Sequence, residues 1–589
     1  MSINNPIGIE QGRSLKLRQL LYVLGSIVFV IIVRLFYLQI DQGAVFSSLG
    51  EGNCLRTEII PPLRGNLLDC NKVLLAANRP VFNLYWQGGS AGKFTDQSLE
   101  LLKKLEGILN ISLLHDVMLK DLKYAERYTR RVLLEEDLSF EQLCKISEQC
   151  SDVSSLVVEN HFKRIYPHQA IASHVLGFLS RVEKIGRAGL ESAVQAELQG
   201  QTGYVIQKIN ATGKMLEERI SKEAIAGSNI VLTLDLRLQS LAESLFEKDQ
   251  SGVCIVMDPE TGAIKTLVSY PNFDPNIFLE PISEEEWNNK MVVNNPLLNR
   301  ATCALYPPAS IFKLITFTAG LEEKLIDHDT VIRCDGHVTF CGRKYHCMRR
   351  TGHGNLFPTG ALAASCNIPC FNIGKRIKID KLAEYAYRFG LGQKTNFLLP
   401  EHSGLVPTTA WKLSARGERW WTGDTLSTCI GQGPILVTPL QVVRMISAIE
   451  SGHLVKPRIL EQEMVEREKL DISKDTLKFL RNSMKEAVNS GTVTLLSFIR
   501  GFEVCAKTGT AQTCSLNLDK DKVQRKHLEH AWLSGWFSYK GSKPLAIMIV
   551  VENVGSSSVA LRFADRFLRG YRQLLEADRQ GQAGTEIKS

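Results

Sequence analysis

Three short groups of residues in the second half of the chain could together activate a serine nucleophile. The first is a Ser-Ile-Phe-Lys tetrad at residues 310 to 313, and the prolines just before it suit the start of a helix. On a helix, Ser310 and Lys313 are three residues apart and share a face. A serine hydroxyl is a poor nucleophile until a base takes its proton, and a lysine can be that base when burial lowers its pKa.

The other two groups come later in the chain. A Ser-Cys-Asn group at residues 365 to 367 follows a segment with a helical pattern. A Lys-Thr-Gly-Thr group at residues 507 to 510 ends a predicted strand, where glycine lets a ligand backbone approach closely. Each group alone is common by chance, but their order, spacing and predicted context agree. Together they predict acyl transfer through a covalent serine intermediate.

Cysteine and histidine residues cluster between the first two groups. Cys334, Cys347, His353 and Cys366 have the spacing C-x12-C-x5-H-x12-C, which supplies four soft ligands of the kind that hold structural zinc. This spacing matches no zinc-finger template, and Cys341 lies within the same stretch. A zinc site is the favoured interpretation, with disulfides and free thiols as the alternatives. If zinc binds, Cys366 connects the metal directly to the second group.

The N-terminus contains the most apolar part of the chain. Residues 20 to 33 are uninterrupted apolar or small residues, and Arg34 can extend its side chain to the interface so that the helix continues to about Ile40. Basic residues precede the run and no small-residue cleavage site follows it, which favours an uncleaved anchor over a signal peptide. We therefore expect a cytoplasmic N-terminus (1–18), a transmembrane anchor (19–40) and an outer part beyond it.

The outer part has two regions. Residues 41–226 mix short strand and helix patterns, with amphipathic helices near 96–106 and 135–150, and contain no convergent catalytic set. Residues 227–575 begin with two strand patterns, continue through a helical middle and end with three more strand patterns. This order predicts an α+β domain built on an antiparallel five-stranded sheet with helices on its faces. The tail, residues 576–589, is predicted to be disordered.

Length and charge agree with several domains beside an anionic surface. A chain of 589 residues is too long for one hydrophobic core. The net charge of +8, from 70 Lys+Arg and 62 Asp+Glu, is a mild basic excess that suits anionic lipid or an anionic cell-wall polymer. No dense basic stripe or nucleic-acid motif is found, so nucleic-acid binding is not expected.

Segments along nearly the whole chain resemble the class B penicillin-binding proteins, and most closely the elongation-specific (penicillin-binding protein 2) type. The first half has Arg-Leu-Phe-Tyr-Leu-Gln at 34 to 39, Arg-Gly-Asn-Leu-Leu-Asp at 64 to 69, Arg-Ile-Tyr-Pro-His at 164 to 168 and Gly-Leu-Glu at 189 to 191. The second half adds Gly-Gln-Gly at 431 to 433 and Val-Glu-Asn at 551 to 553. The resemblance implies a membrane anchor, a pedestal or dimerisation domain, and a penicillin-binding/β-lactamase-like transpeptidase domain.

The resemblance also implies roles for the first two groups. Ser310 would attack the penultimate D-Ala carbonyl of a peptidoglycan stem peptide and release the terminal D-Ala. Lys313 would be its base, and Ser365 would relay protons to the leaving group or the incoming amine. Asn367 would hydrogen-bond the substrate amide.

The third group would bind substrate. Lys507 would provide positive charge for the substrate carboxylate, while Thr508 and Thr510 would position it, with Gly509 leaving room between them. The backbone N–H groups of Ser310 and Thr510 would form the oxyanion hole. Ala309, Ile311 and Ala506 replace a usual glycine, threonine and glycine, which concerns substrate preference rather than reaction class.

Further expectations follow from the same resemblance. The chemistry needs no cofactor, a structural zinc has counterparts in some elongation-type relatives, and β-lactams should inhibit by acylating the serine. A SEDS-family glycosyltransferase and elongation-complex proteins are the expected partners, in the inner membrane with the catalytic domain on the periplasmic side. The alternatives are a division-specific class B penicillin-binding protein, a D,D-carboxypeptidase or β-lactamase, and a β-lactam sensor or inactive scaffold.

Overall fold

The computed structural model describes residues 7–89, 94–128, 130–151, 153–210, 215–512 and 528–586. The chain forms two compact units that are each built from separate stretches of sequence. The first unit takes residues 1–63, 79–163 and 200–226, and the second takes residues 64–78, 164–199 and 227–589. The chain therefore leaves the first unit for the last time after residue 226. The segments 64–78 and 164–199 belong to the second unit, which contains the three motifs.

The first unit begins with the predicted anchor. A helix from Ile7 to Phe36 continues as a π-helical turn from Tyr37 to Asp41. The 25 residues Leu17–Asp41 are long and apolar enough to cross a membrane, and no other helix of the described ranges meets this test. A signal sequence can also meet it, so the finding is compatible with a single-pass anchor.

The rest of the first unit contains a three-stranded sheet and a group of helices packed on strands. Strand Gly203–Ile209 pairs on its two sides with Leu55–Ile60 and Met215–Lys222. Elsewhere, amphipathic helices cover the end of a long strand, and their leucines surround the buried Trp86. The remaining elements are helices Gly43–Cys54, Asp96–Leu109, Asp116–Tyr128 and Phe140–Gln149, and strands Leu74–Gln87, Arg131–Glu135 and Leu156–Ile165. Residues 74–78 and 164–165 of these strands belong to the second unit.

A buried ionic cluster joins distant parts of the second unit. Glu191 is fully buried and accepts hydrogen bonds from Arg64 Nε (2.6 Å), Arg164 Nε (2.7 Å) and the Tyr166 hydroxyl (3.2 Å). A buried carboxylate is tolerated when such partners satisfy it. Three of the segments on which the family resemblance was based therefore meet at one point.

Five antiparallel strands form the sheet of the second unit, as predicted. They are β1 (Gly252–Met257), β2 (Ile264–Tyr270), β3 (Phe502–Ala511), β4 (His530–Tyr539) and β5 (Leu545–Val551), in the order β2-β1-β5-β4-β3. The turn between β1 and β2 is the Asp-Pro-Glu-Thr-Gly segment at residues 258 to 262, closed by Gly262 N–H donating to Asp258 O at 2.9 Å. β3 is an edge strand and carries the Lys-Thr-Gly group.

Helices cover both faces of this sheet because its side chains alternate. On β1, Val253 and Ile255 point into a core shared with helix Pro439–Ser451. Cys254 and Val256 point to the opposite face, where helices Leu236–Ser244 and Ser558–Glu586 pack.

The remaining elements of the second unit are short. The strands are Leu67–Leu68, Ile230–Val231, Ile332–Cys334, His337–Phe340, Arg343–His346, Gly354–Leu356, His453–Val455 and Arg467–Lys469. The α-helices are Ser173–Leu176, Gly189–Ala193, Gln195–Gln199, Glu284–Trp287, Lys313–Glu322, Pro358–Ala363, Ile368–Gly374, Ile379–Arg388, Thr409–Arg416, Thr422–Thr428 and Lys474–Asn489. Further helical turns are Pro275–Leu279, Asn288–Val292, Ala309–Ile311 and Thr494–Phe498.

The prediction of a disordered tail is wrong for residues 576–586, because the last helix continues to Glu586. Its earlier turns pack on the sheet, so adding residues to the helix needs no new nucleation. Glu576 accepts a hydrogen bond from the Tyr539 hydroxyl at 2.8 Å, and Asp578 forms an ion pair with Arg237 at 2.7 Å. Residues 587–589 lie outside the described ranges.

Candidate active site

The turn before Ser310 has a backbone conformation that few residues adopt. Ala309 has φ +50°, a left-handed value that costs an alanine about 1–2 kcal/mol. Gly431 holds this turn, since its carbonyl accepts a hydrogen bond from Ala309 N–H at 3.0 Å. A Cβ on Gly431 would lie 2.0 Å from Ala309 O, so only glycine fits there. The Gly-Gln-Gly segment therefore shapes the approach to the nucleophile, a role the sequence did not reveal.

Ser310 itself lies in the helical turn Ala309–Ile311, and helix Lys313–Glu322 begins directly after it. The tetrad thus spans two consecutive helical segments rather than the single helix that we predicted. Ile311 and Phe312 are buried and hold the segment in the core, while Ser310 remains partly exposed.

Lys313 is fully buried beneath the nucleophile. Its Nζ donates to Ser365 O at 2.7 Å, Ser365 Oγ at 3.2 Å and Asn367 Oδ1 at 2.6 Å. Burial lowers the pKa of Lys313, because the charged amine is poorly solvated there. A neutral amine is the form that can accept a proton.

Lys507 approaches the same serine from strand β3. Its Nζ donates to Ser365 Oγ at 2.9 Å and to Thr508 O at 3.0 Å, and its side chain is fully buried. Burial, and then the charge of Lys313, lower the pKa of Lys507 well below its ordinary value. The Ser365 hydroxyl therefore lies between two lysine nitrogens and is placed to pass a proton.

Asn367 connects Lys313 of the first motif to the segment that lies between the first two motifs. Its Oδ1 accepts from Lys313, and its Nδ2 donates to the backbone carbonyl of His346 at 2.9 Å. The predicted hydrogen bond from Asn367 to the substrate amide stays a prediction. The contact with His346 was not predicted, since backbone carbonyls leave no signal in a sequence.

Strand β3 brings the remaining predicted residues to the nucleophile turn. A Cβ added to Gly509 would lie 3.5 Å from the Ala309 Cβ and 3.1 Å from the Trp532 Cβ. The strand therefore lies beside the turn at a distance that leaves an added Cβ in ordinary van der Waals contact, and the tighter approach is to Trp532 on β4. The role of glycine in admitting a ligand backbone stays a prediction. The Thr508 hydroxyl donates to the Thr492 hydroxyl at 2.8 Å, and Thr510 is partly exposed. Thr492 had not been singled out from the sequence.

A second hydrogen-bonded group fixes the segment that leads to Ser310. The Tyr306 hydroxyl donates to Glu552 Oε1 at 2.6 Å, and Arg300 Nε donates to the same oxygen at 3.1 Å. Burial, and then the charge of Glu552, raise the pKa of Tyr306, so the phenol keeps its proton and remains a donor. The Val-Glu-Asn segment was noted in the sequence, but its connection to Tyr306 was not.

The four predicted metal ligands also lie together. Their ligand atoms, on Cys334, Cys347, His353 and Cys366, are all within 4.8 Å of one another. His353 Nδ1 lies 3.5 Å from both Cys334 Sγ and Cys347 Sγ, and Cys347 Sγ lies 3.7 Å from Cys366 Sγ. A tetrahedron with zinc–sulfur bonds of about 2.3 Å separates its ligands by about 3.7 Å, so the donor set fits zinc.

The charge of this cluster also suits a cation. A hydrogen bond from Cys366 lowers the pKa of Cys347 to about 4, and the same contact raises the pKa of Cys366. Cys341, which lay in the same stretch of sequence, is exposed and outside the cluster. Every cysteine of the described ranges has a free thiol, so the disulfide interpretation finds no counterpart there.

Comparison with known families matches both parts of the chain. The family described as the penicillin binding protein transpeptidase domain matches residues 252–569. The penicillin-binding protein dimerisation domain matches residues 59–232. The chain belongs to the penicillin-binding protein transpeptidase family. The resemblance proposed from its sequence is therefore confirmed.

Curated relatives of this penicillin-binding protein cover most of its length. The peptidoglycan D,D-transpeptidase MrdA of Acinetobacter baumannii is 28% identical over 92% of this chain and 86% of the relative. The protein of the same name from Escherichia coli K12 is 26% identical over 92% of this chain and 91% of the relative.

Solved structures agree with these relatives. The complex between penicillin-binding protein PBP2 and MreC from Helicobacter pylori has a chain with a TM-score of 0.77 and 28% identity, covering 88% of this chain and 99% of that one. A chain of a peptidoglycan synthase complex has a TM-score of 0.71 and 29% identity, covering 94% of this chain and 98% of that one.

Replacing Ser365 by alanine tests the hydrogen bonds at the centre of the site. The change removes the hydroxyl between the two lysines, so we expect the rate of acylation by benzylpenicillin to fall roughly 100-fold or more. The rate is measured by intact mass against time. Ser483→Ala is the matched control, because its buried hydroxyl has no hydrogen-bond partner among the described residues. Acylation of Ser365→Ala within threefold of wild type would contradict the assignment.

Proposed function

We propose that this penicillin-binding protein is a peptidoglycan D,D-transpeptidase that acts through an acyl-enzyme on Ser310. The observation that carries the proposal is the pair of buried lysines, Lys313 and Lys507, hydrogen-bonded to the single Ser365 hydroxyl beside the nucleophile turn. Family membership and the printed activity of the relatives support the same reaction.

In the first half-reaction, Ser310 Oγ attacks the penultimate D-Ala carbonyl. An ester bond forms to Ser310, the peptide bond to the terminal D-Ala breaks, and Lys313 takes the hydroxyl proton. The proton passes through Ser365 to the amine of the departing D-Ala. This assignment uses Lys313 as general base and Ser365 as relay, and the lowered pKa of the buried lysine favours it.

In the second half-reaction, an amine from a neighbouring stem peptide attacks the ester. A new peptide bond forms, the ester bond to Ser310 breaks, and the serine recovers a proton from the attacking amine through the same residues. The N–H groups of Ser310 and Thr510 stabilise the oxyanion in both halves, and losing one such donor typically costs about 100- to 1000-fold in rate. Lys507, Thr508 and Thr510 bind the terminal carboxylate of the donor stem.

The elongation-specific type is the form of this activity that we favour. The relatives named MrdA and the structure titled as a PBP2–MreC complex support it over the division-specific alternative. By the same argument, an MreC-type protein and a SEDS-family glycosyltransferase are the proposed partners. The role in cell shape follows from that assignment.

We place the protein in the cytoplasmic membrane through its N-terminal helix. The apolar span Leu17–Asp41 follows basic residues, which favour the cytoplasmic side. The catalytic domain then lies on the periplasmic side, where peptidoglycan is found.

We further propose that zinc binds the cluster of Cys334, Cys347, His353 and Cys366. Bound zinc would supply a structural cross-link and no chemistry for acyl transfer. Cys366 lies between Ser365 and Asn367, so its sulfur would fix the backbone of the second motif. Two other ligands, Cys334 and Cys347, flank the hairpin formed by strands His337–Phe340 and Arg343–His346. The His346 carbonyl of this hairpin accepts the hydrogen bond from Asn367.

Incubation with benzylpenicillin tests the nucleophile. We expect intact mass to show one penicilloyl adduct that persists for many minutes on the wild-type protein, because the transferred acyl group has no acceptor amine. The matched Ser310→Ala variant should show none. An adduct that vanished within seconds would indicate a β-lactamase, and the absence of any adduct on folded wild-type protein would support the scaffold alternative.

Metal analysis tests the zinc site. We expect about one equivalent of zinc per chain, and Cys334→Ser should lose most of it together with thermal stability, because a tetrahedral site needs all four ligands. Cys341→Ser is the matched control, since that thiol is exposed on the neighbouring hairpin, and it should keep its zinc. Equal zinc loss from both variants, or no zinc in wild type, would refute the site.

A further inference from the structure

A small hairpin between the first two motifs is built in an unusual way. Strands His337–Phe340 and Arg343–His346 pair around a two-residue turn at Cys341 and Gly342, both with positive φ. An isolated two-stranded hairpin is marginally stable in water. Here the chain at its base is closed by Cys347 N–H donating to Gly336 O at 2.9 Å, beside the cysteine cluster.

The hairpin and the residues after it are strongly basic. Residues 343 to 350 read Arg-Lys-Tyr-His-Cys-Met-Arg-Arg and contain no acid. Arg343, Lys344, Arg349 and Arg350 are exposed, and none forms an ion pair with the described residues. The nearby Asp335 is paired with Arg333 at 3.1 Å. Four uncompensated cations on one short segment produce a positive potential that attracts an anionic partner.

This basic segment is connected to the active site by two successive hydrogen bonds. The His346 carbonyl accepts from Asn367 Nδ2 at 2.9 Å, and Asn367 Oδ1 accepts from Lys313 Nζ at 2.6 Å. The Tyr345 ring also packs against Phe371, with ring centroids 5.6 Å apart, in the helix that follows the second motif. A ligand on the segment would therefore lie beside the catalytic groups.

An exposed aromatic residue lies next to the same segment. A Cβ on Gly423 would be 2.9 Å from the Tyr345 hydroxyl oxygen, so the start of helix Thr422–Thr428 packs on the hairpin. Just before it, Trp421 is 52% exposed and the Arg419 guanidinium lies 3.9 Å from its ring centroid. Cations beside an exposed indole can contact both the charged and the apolar parts of a ligand.

We propose that the four basic residues of 343–350 and Trp421 form the acceptor surface, which binds the neighbouring peptidoglycan strand through the carboxylates of its stem peptides. The proposal rests on the transpeptidase function above. An un-cross-linked stem ends in a free carboxylate, so such a strand is a polyanion, and guanidinium groups pair with carboxylates in two-point contacts. The segment contacts Asn367 and so lies beside the catalytic groups. A substrate strand must reach these groups and a membrane surface does not, so this position favours the strand as the ligand.

The test uses the full chain in a neutral detergent and fluorescent, solubilised, un-cross-linked peptidoglycan strands as the probe. A parallel probe has its stem carboxylates converted to methylamides. The test variant is R343Q/K344Q/R349Q/R350Q, and the control R467Q/K469Q/K474Q/K478Q removes the same number of exposed charges elsewhere in the unit. The double variant R343Q/K344Q changes only the turn side of the hairpin, away from the four clustered ligands, and replaces the quadruple variant if that protein does not fold.

We expect the test variant to bind carboxylate strands about tenfold or more weakly than wild type at low salt, and the control to bind within twofold. The methylamide strands should bind wild type at least as weakly as carboxylate strands bind the test variant, because they also lose the carboxylate contact proposed at Lys507. Equal binding by the test and control variants, or equal binding of both probes, would overturn the proposal. Vesicles of anionic lipid are tested in parallel. If the test variant lost binding to these vesicles but not to the carboxylate strands, the proposal would also be overturned. The penicilloyl adduct is measured on the same samples, and its absence from wild type would reject the transpeptidase function independently of strand binding.

Discussion

The burial of two lysine side chains around one serine hydroxyl is the constraint on which the rest of this structure depends. Moving a charged amine out of water costs several kcal/mol, and neither Lys313 nor Lys507 has a carboxylate partner among the described residues. Burial therefore lowers the pKa of both, and their proximity lowers that of Lys507 further. The fold lowers the pKa of both amines, that of Lys507 more strongly, and brings both nitrogens to one serine hydroxyl.

Three separate parts of the chain must be held close together to produce this arrangement. Gly431 stabilises the strained turn before Ser310, and the edge strand β3 passes beside that turn at Gly509. Ser365 also has a positive φ, +55°, and lies between the helices Pro358–Ala363 and Ile368–Gly374. Two contacts of its neighbours hold Ser365 in this position. Cys366 belongs to the cysteine cluster, and Asn367 is hydrogen-bonded to the hairpin at the His346 carbonyl. Substrate binding at the hairpin and geometry at Lys313 are then physically connected.

Much of this could be predicted from the sequence because the signals are local. Apolar runs bounded by turn residues predicted the five strands, and residue type predicted the three motifs and the four clustered ligands. The contacts that align the motifs could not be predicted in the same way. Asn367 bonds to a backbone carbonyl, Thr508 to the unremarkable Thr492, and Tyr306 to Glu552, which is 246 residues away in the chain. The C-terminal helix was missed because its stability comes from packing on the sheet rather than from its own polar composition.

The measurement that most directly tests the central claim is a crystal structure of the protein after reaction with benzylpenicillin. We expect an ester on Ser310 Oγ, with its carbonyl oxygen within hydrogen-bond distance of the N–H groups of Ser310 and Thr510. Lys313 and Lys507 should still contact the Ser365 hydroxyl. An ester on another side chain, or a carbonyl oxygen directed away from both N–H groups, would refute this mechanism.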